Sequence, residues 1–184
     1  AGRGRLPAGK LEIVSIGTLA DFKGPHDLVE APARVPDLDC RLLLYGRDGP
    51  DPAYTGRLRQ LAARDARVAL TGTFPPERMG DVLATASVLA HPSIWYENFP
   101  MSITEAFGRG LPVIASRIGA LPELVEDGVT GLLFEPSSAD DLAAKLSQVA
   151  VDSPRFDILG ESARKAFVTR YSGERAYELL LNAY

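Results

Sequence analysis

Short apolar runs alternate regularly with longer amphipathic stretches along this chain. Six apolar runs bounded by turn residues are predicted strands: Ile13–Ile16, Leu42–Tyr45, Val68–Leu70, Val88–Ala90, Val113–Ala115 and Leu132–Phe134. Between them, apolar residues recur at the three- and four-residue spacing of helices, as at Leu58, Leu61 and Ala62. This alternation predicts an α/β fold, a Rossmann-like parallel sheet of about six strands with helices on both faces.

The two ends of the chain differ from its middle. Residues 1–10 are basic and rich in Gly and Pro, as a linker is, and the folded domain is predicted over residues 11–184. Two apolar stripes at helical spacing follow the last strand: Leu142, Leu146 and Val149, then Ala176, Leu179, Leu180 and Ala183. We therefore expect one domain that ends in closing helices over residues 154–184.

The composition narrows the class of protein. Hydrophobic residues make up 46% and charged residues 24% of the 184 residues, which is typical of a folded globular protein. The net charge of -4 comes from interspersed residues of both signs, so the chain offers no basic face to a nucleic acid. No apolar stretch approaches the roughly 20 residues that span a bilayer, and a cytoplasmic location is expected. The single cysteine, Cys40, has no disulfide partner and is expected in the core.

Glycines follow the first three strands at the edge where a parallel sheet binds ligands. Gly17, Gly46 and Gly72 each place a residue without a side chain there, so a ligand can approach the backbone. A single glycine after a strand is equally typical of an ordinary turn, and only the three together indicate a ligand edge. The chain has neither GxGxxG nor GxxxxGK[ST], which argues against hydride transfer and ATP hydrolysis.

The segment after the fourth strand, HPSIWYENFPMSITEAF, is predicted to open a helix at this same edge. Asn98 can cap the helix and Pro100 can occupy its first turn, so the helix is expected to begin near Phe99. The free N–H groups and the positive dipole end of such a helix favour binding of a phosphate group.

Three charged residues accompany this predicted helix start. Glu97 and Glu105 can each accept two hydrogen bonds from a sugar diol, although solvated helix acids are the ordinary alternative. Lys23, in the loop after the first strand, can supply a cation, although most lysines lie at the surface. The residues by themselves indicate a site for a phosphorylated ligand.

The stretch from Pro92 to Pro136 resembles the C-terminal, nucleotide-sugar-binding domain of family-four retaining glycosyltransferases of the GT-B fold. It carries the family's two glutamates separated by seven residues, here Glu97 and Glu105, followed by EAF, G-PVIAS and GLLF elements in order. The resemblance extends over Gly17 to Leu146. It implies transfer of a hexosyl group from a nucleoside diphosphate sugar to a hydroxyl acceptor, with retained configuration and with neither metal nor cofactor.

The resemblance also implies roles for single residues. Glu97 would lie by the donor sugar, Lys23 would neutralise the diphosphate during catalysis, and Glu105 would hold the ribose hydroxyls. The remaining donor contacts would come from three short segments: Gly17 and Thr18, then Gly72, Thr73 and Phe74, then Asn98, Phe99, Pro100 and Met101.

The chain departs from the family at two positions. Thr18 stands where an arginine usually faces the diphosphate, and Arg47 and Arg117 are candidates to replace that cation. Pro32 stands where an aromatic residue is more usual, and it is expected to disturb the first helix. A catalytically silent nucleotide-sugar-binding module is therefore an alternative. A sugar-nucleotide epimerase of the same overall fold is disfavoured, because the glutamate pair belongs to the transferases.

Two other sets of residues are not expected to take part in ligand binding or catalysis. Asp37 and Asp39 form an Asp-x-Asp pair, but they precede a strand and so belong to the edge opposite the ligand. His91 has no carboxylate partner that the sequence identifies, and packing or capping is its expected role, while His26 is not assigned to catalysis either.

The family's active site is a cleft between two similar domains. The expected partners are therefore a nucleotide sugar and an N-terminal GT-B domain that supplies the acceptor site. Any peripheral membrane contact is expected through that second domain alone. The isolated chain is expected to be inactive in transfer.

Overall fold

The computed structural model describes residues 10–182. Residues 1–9 of the predicted linker and Ala183 of the predicted closing stripe lie outside this part, as do the side chains of Ala176 and Leu179. The strands are β1 Leu11–Ile16, β2 Cys40–Tyr45, β3 Val68–Gly72, β4 Val88–His91, β5 Val113–Ser116 and β6 Gly131–Phe134. The helices are α1 Pro25–Arg34, α2 Pro52–Ala62, α3 Met79–Thr85, α4 Met101–Gly108, α5 Leu121–Leu124, α6 Ala139–Val151, α7 Ser153–Ala166 and α8 Gly173–Asn182.

The strands form one parallel sheet in the order β3-β2-β1-β4-β5-β6, which confirms the predicted α/β fold. The chain builds the sheet outward from β1 to β3, returns to the other side of β1 with β4, and continues to β6. Such a reversal leaves a crevice at the carboxyl ends of the two strands where the order changes, here β1 and β4. Ligands of doubly wound sheets bind in this crevice.

Apolar side chains cover both faces of the sheet. The neighbours Ile13 and Val14 in β1 point to opposite faces, and both are fully buried. The first face packs mainly against α1, α2 and α6, and the second against α3 and α4. Cys40 is buried in the first core, as predicted. No helix within residues 10–182 is long and apolar enough to cross a membrane.

Pro32 lies in the last turn of α1, which continues to Arg34. The disturbance predicted from this proline is therefore confined to the end of the helix. Arg67 satisfies the carbonyl groups there, because its guanidinium donates hydrogen bonds to the carbonyl oxygens of Pro32 at 2.6 Å and Val35 at 3.0 Å. Helix α1 therefore continues through the buried proline.

Candidate functional site

An open cleft of about 610 Å³ lies at the carboxyl edge of the sheet, where β1 and β4 diverge. Its volume is within the range of pockets that hold small molecules. Most of the predicted site residues line it: Gly17, Thr18, Lys23, Thr73, Phe74, Glu97, Pro100, Met101 and Glu105. The remaining three, Gly72, Asn98 and Phe99, are not among its lining residues, and the ring of Phe99 packs against Tyr171 instead.

Hydrogen bonds beyond the strand ends hold the floor of the cleft together. Gly17 donates its N–H to the Tyr45 carbonyl at 2.9 Å, and Gly46 donates to the Gly72 carbonyl at 2.9 Å. A Cβ at Gly46 would overlap the carbonyl group of Gly17, whereas a Cβ at Gly17 would meet nothing within 4 Å. The glycines therefore differ in role. Gly46 permits close packing of two loops, and Gly17 leaves open space at the cleft.

Helix α4 begins later than the sequence indicated. It starts at Met101 with Pro100 at the N-cap position, and no side chain caps it, so the predicted cap by Asn98 and the predicted start near Phe99 are wrong. A residue that precedes proline avoids the helical conformation, which excludes Phe99 from the helix. Pro100 itself is extended and directly precedes the first helical residue. Met101 and Ser102 line the cleft, so the free N–H groups of the first turn lie at its edge.

Glu97 is the centre of a polar cluster at the base of this helix. Its carboxylate accepts hydrogen bonds from the ammonium group of Lys23 and, at 3.0 Å, from the hydroxyl of Ser93. Partial burial acts to raise the pKa of Glu97, but the bonds and charge of Lys23, aided by Ser93, outweigh burial and lower that pKa. Glu97 is therefore a carboxylate at neutral pH and forms an ion pair with Lys23.

His91 belongs to the same cluster, which the sequence did not predict. Its Nε2 lies 3.8 Å from Glu97 Oε1, a carboxylate neighbour that the sequence did not identify. Within residues 10–182 this buried Nε2 has no hydrogen-bond partner. Burial lowers the pKa of His91 to about 4 against the opposing charge of Glu97, so the ring is neutral at physiological pH. The position of His91 at the end of β4 was the available signal.

Glu105 stands apart from this cluster. It lies within α4 and lines the cleft, and its carboxylate forms no hydrogen bond or ion pair with any part of the chain that the structure describes. Partial burial raises its pKa above the usual value for a glutamate. A partly desolvated carboxylate without a partner is suited to accept hydrogen bonds from ligand hydroxyl groups.

Of the other residues considered in the sequence, some line the cleft and others do not. Arg47 lines the cleft, whereas Arg117 pairs with Asp127 at 2.6 Å and does not line it. Asp39 directly precedes β2, so the Asp-x-Asp motif lies at the amino edge of the sheet, as predicted. His26, which contacts the hydroxyl of Tyr54 at 2.8 Å, is not among the lining residues.

The sequence matches a model of one protein family. Residues 3–166 fit the family described as "Glycosyl transferases group 1". The D-inositol 3-phosphate glycosyltransferase of Corynebacterium aurimucosum is 34% identical over 86% of this chain and 39% of the relative. The MMP alpha-(1->4)-mannosyltransferase of Mycolicibacterium hassiacum is 35% identical over 82% of this chain and 37% of the relative. The chain thus spans less than half the length of these relatives.

Solved structures share the fold. The crystal structure of Anabaena HepE in complex with UDP-glucose superposes with a TM-score of 0.84 and 26% identity, over 94% of this chain and 49% of HepE. The C-terminal domain of a glycosyl transferase group 1 protein (LpcC) from Francisella tularensis gives a TM-score of 0.79 at 25% identity, over 90% of this chain and 88% of that domain. The chain therefore belongs to the glycosyl transferases group 1 family and has the fold of a C-terminal GT-B domain.

Proposed function

We propose that this chain is the donor-binding domain of a retaining glycosyltransferase that moves a hexosyl group from a nucleoside diphosphate sugar to a hydroxyl acceptor. The observation that carries the proposal is the meeting of Glu105, the Lys23–Glu97 pair and the start of α4 in one cleft. The cleft lies at the switch point of the sheet, where nucleotides bind in doubly wound folds. HepE, which shares this fold, has been crystallised with UDP-glucose.

The lining of the cleft suits the three parts of such a donor. Glu105 would accept hydrogen bonds from the ribose hydroxyl groups. The rings of Tyr45 and Phe74 pack edge to face with 5.1 Å between centroids and supply an apolar wall for the base. The free N–H groups at Met101 and Ser102 would face the diphosphate.

The proposed reaction breaks the bond between the anomeric carbon and the diphosphate oxygen, and it forms a bond from the same carbon to the acceptor oxygen. The acceptor proton passes to the departing diphosphate. Lys23 and the N-terminus of α4 would stabilise the negative charge that develops on this leaving group. Glu97 would position the sugar, and the proposal requires neither a protein nucleophile nor a metal.

A nucleotide-sugar-binding module without transferase activity is the second candidate. The uncharged Thr18 at the cleft favours it, because a leaving diphosphate needs positive charge nearby. Calorimetry together with an assay of donor hydrolysis on the full-length protein separates the candidates. Both predict binding, and the transferase alone predicts turnover.

The test of the binding site compares the two glutamates with free UDP. Glu105→Ala should weaken UDP binding by about 1.5–3 kcal/mol, because a charged hydrogen-bond acceptor for the ribose is lost. Glu97→Ala should weaken it less, since the sugar that Glu97 would contact is absent from UDP. Isothermal titration calorimetry measures the affinity of both variants for UDP.

Glu123→Ala is the matched control, because this exposed glutamate lies in α5 and does not line the cleft. It should leave UDP affinity unchanged. Equal losses at positions 97 and 105, or no loss at 105, would contradict the assignment of Glu105 to the ribose.

A further inference from the structure

The charges that line the cleft are balanced before any ligand binds. The described lining residues include two cations, Lys23 and Arg47, and two carboxylates, Glu97 and Glu105. Lys23 is paired with Glu97, so its charge is already opposed. A nucleoside diphosphate brings at least two further negative charges into this space. The proposed donor therefore needs a cation that is not already engaged.

Arg47 is the lining cation whose charge is free. Its side chain is exposed and makes no hydrogen bond or ion pair within residues 10–182. The adjacent Asp48 does not neutralise it, because the carboxylate of Asp48 accepts two hydrogen bonds from Arg59, at 2.8 and 3.0 Å. Arg47 thus presents an unopposed guanidinium at the cleft.

The backbone fixes Arg47 beside the loop that follows β1. Leu19 donates its N–H to the Arg47 carbonyl at 2.9 Å, and Gly49 donates to the Leu19 carbonyl at 3.2 Å. Leu19 and Asp48 also form a parallel bridge that continues the pairing of β1 with β2. Position 47 is therefore held next to Thr18, a cleft residue that carries no charge.

We propose that Arg47 binds the diphosphate of the donor and supplies the positive charge that Thr18 does not. The inference rests on the proposed function, and it assigns a new residue to the same site. A guanidinium suits this role because its planar fork donates two parallel hydrogen bonds to a phosphate group. The side chain of Arg47 is exposed and has no hydrogen bond or ion pair among the described residues, so it is free to turn toward the ligand.

The first experiment compares UDP with uridine on the 184-residue chain by isothermal calorimetry. Arg47→Ala should weaken UDP binding roughly tenfold and uridine binding less than twofold, because the partner of Arg47 is the diphosphate. Arg64→Ala is the matched control, since this exposed arginine lies between α2 and β3 and therefore near the opposite edge of the sheet. It should leave both affinities unchanged.

The second experiment restores the charge from the other loop. Thr18→Arg in the Arg47→Ala background should recover most of the lost UDP affinity, because positions 18 and 47 lie side by side. A purely structural role for Arg47 would not be rescued in this way. Absence of recovery would overturn the claim that Arg47 supplies the charge absent at Thr18.

The outcomes separate the two proposals. Equal UDP affinity in wild type and Arg47→Ala, or equal losses for UDP and uridine, would overturn the assignment of Arg47 and leave the proposed function intact. If the wild-type chain bound none of UDP, GDP and ADP, the proposed function itself would fail, and the inference with it. A loss confined to the diphosphate, with rescue by Thr18→Arg, would support both.

Discussion

Burial and ion pairing together determine the charges in the cluster of His91, Glu97 and Lys23. Glu97 lies between a lysine that keeps it ionised and a histidine that burial keeps neutral. The Nε2 atom of His91 is buried and has no hydrogen-bond partner among the described residues, so a proton taken up there would be poorly solvated. Burial by the fold thus favours the neutral form of His91.

This arrangement predicts a loss of stability in mild acid. The pKa of His91 is about 4 in the folded chain and near 6.5 when the chain is unfolded, so between these values the unfolded state binds a proton that the folded state does not. The free energy of unfolding must therefore fall as the pH falls through this window. From pH 6.5 to pH 5, the contribution of His91 should decrease by about 2 kcal/mol.

Urea denaturation of wild type and His91→Gln at several pH values measures this contribution. The variant cannot take up the proton, so its free energy of unfolding should fall less steeply between pH 6.5 and pH 5. The carboxylate of Glu97 and the ammonium of Lys23, which act on His91 in the wild type, are retained in the variant. Identical slopes would show that His91 does not titrate in this window.

The sequence predicted that the two glutamates and the lysine lie at the ligand edge of the sheet, because they belong to recognisable motifs after β1 and β4. All three line the cleft. The sequence could not identify His91, since the contact with Glu97 depends on how the loop after β4 turns back. The cap of α4 was wrong because the capping preference of Asn98 was weighed without the restriction that Pro100 places on Phe99.

The loops that follow β1 and β2 approach each other closely. The carbonyl of Gly17 lies against Gly46, where no side chain fits. This contact aligns the loops that carry Thr18 and Arg47 and so shapes the floor of the cleft. The strand-end glycine at 46 therefore serves packing between elements more than ligand access.

Gly46→Ala should lower the free energy of unfolding by about 1–3 kcal/mol, because its methyl group overlaps backbone that cannot move independently of the sheet. Gly56→Ala is the control, since a Cβ at this position in α2 meets nothing within 4 Å. Alanine is the better helix former, so this variant should gain about 0.5–1 kcal/mol. Chemical denaturation measures the free energy of unfolding of both variants. An unaffected Gly46→Ala would contradict the close approach of the two loops.

The strands could be predicted because their residues are buried on both faces and give nearly continuous apolar runs. The ends of the strands differ from the predicted ones. β1 begins at Leu11, two residues before the predicted start, and β3 continues to Gly72, two residues beyond the predicted end. The order of strands in the sheet was not predicted, because pairing is decided between segments that are distant in sequence.

The cleft is open in the part of the chain that the structure describes. The chain spans 39% of the Corynebacterium aurimucosum relative and 49% of HepE. We propose that a second GT-B domain closes the cleft and holds the acceptor. Without that domain the acceptor would not be positioned against the anomeric carbon, which would forfeit up to roughly 7–11 kcal/mol of barrier lowering.

The isolated chain should accordingly bind a donor without using it. Incubated with UDP-glucose and a panel of hydroxyl acceptors, it should consume the donor no faster than buffer alone does. Mass spectrometry of the products measures this rate. Transfer well above the buffer rate would contradict the proposal that the acceptor site lies on another domain.

We propose that the cleft at the ends of β1 and β4 is the nucleotide-sugar site. Titration of the ¹⁵N-labelled chain with UDP-glucose, followed by amide chemical shifts, tests this proposal. The largest shifts should fall on Gly17 to Lys23, on Gly46 and Arg47, and on Met101 to Glu105. Shifts concentrated instead at the groove lined by Val151 and Phe156, or no shifts at saturating UDP-glucose, GDP-sugar and ADP-sugar, would contradict the claim.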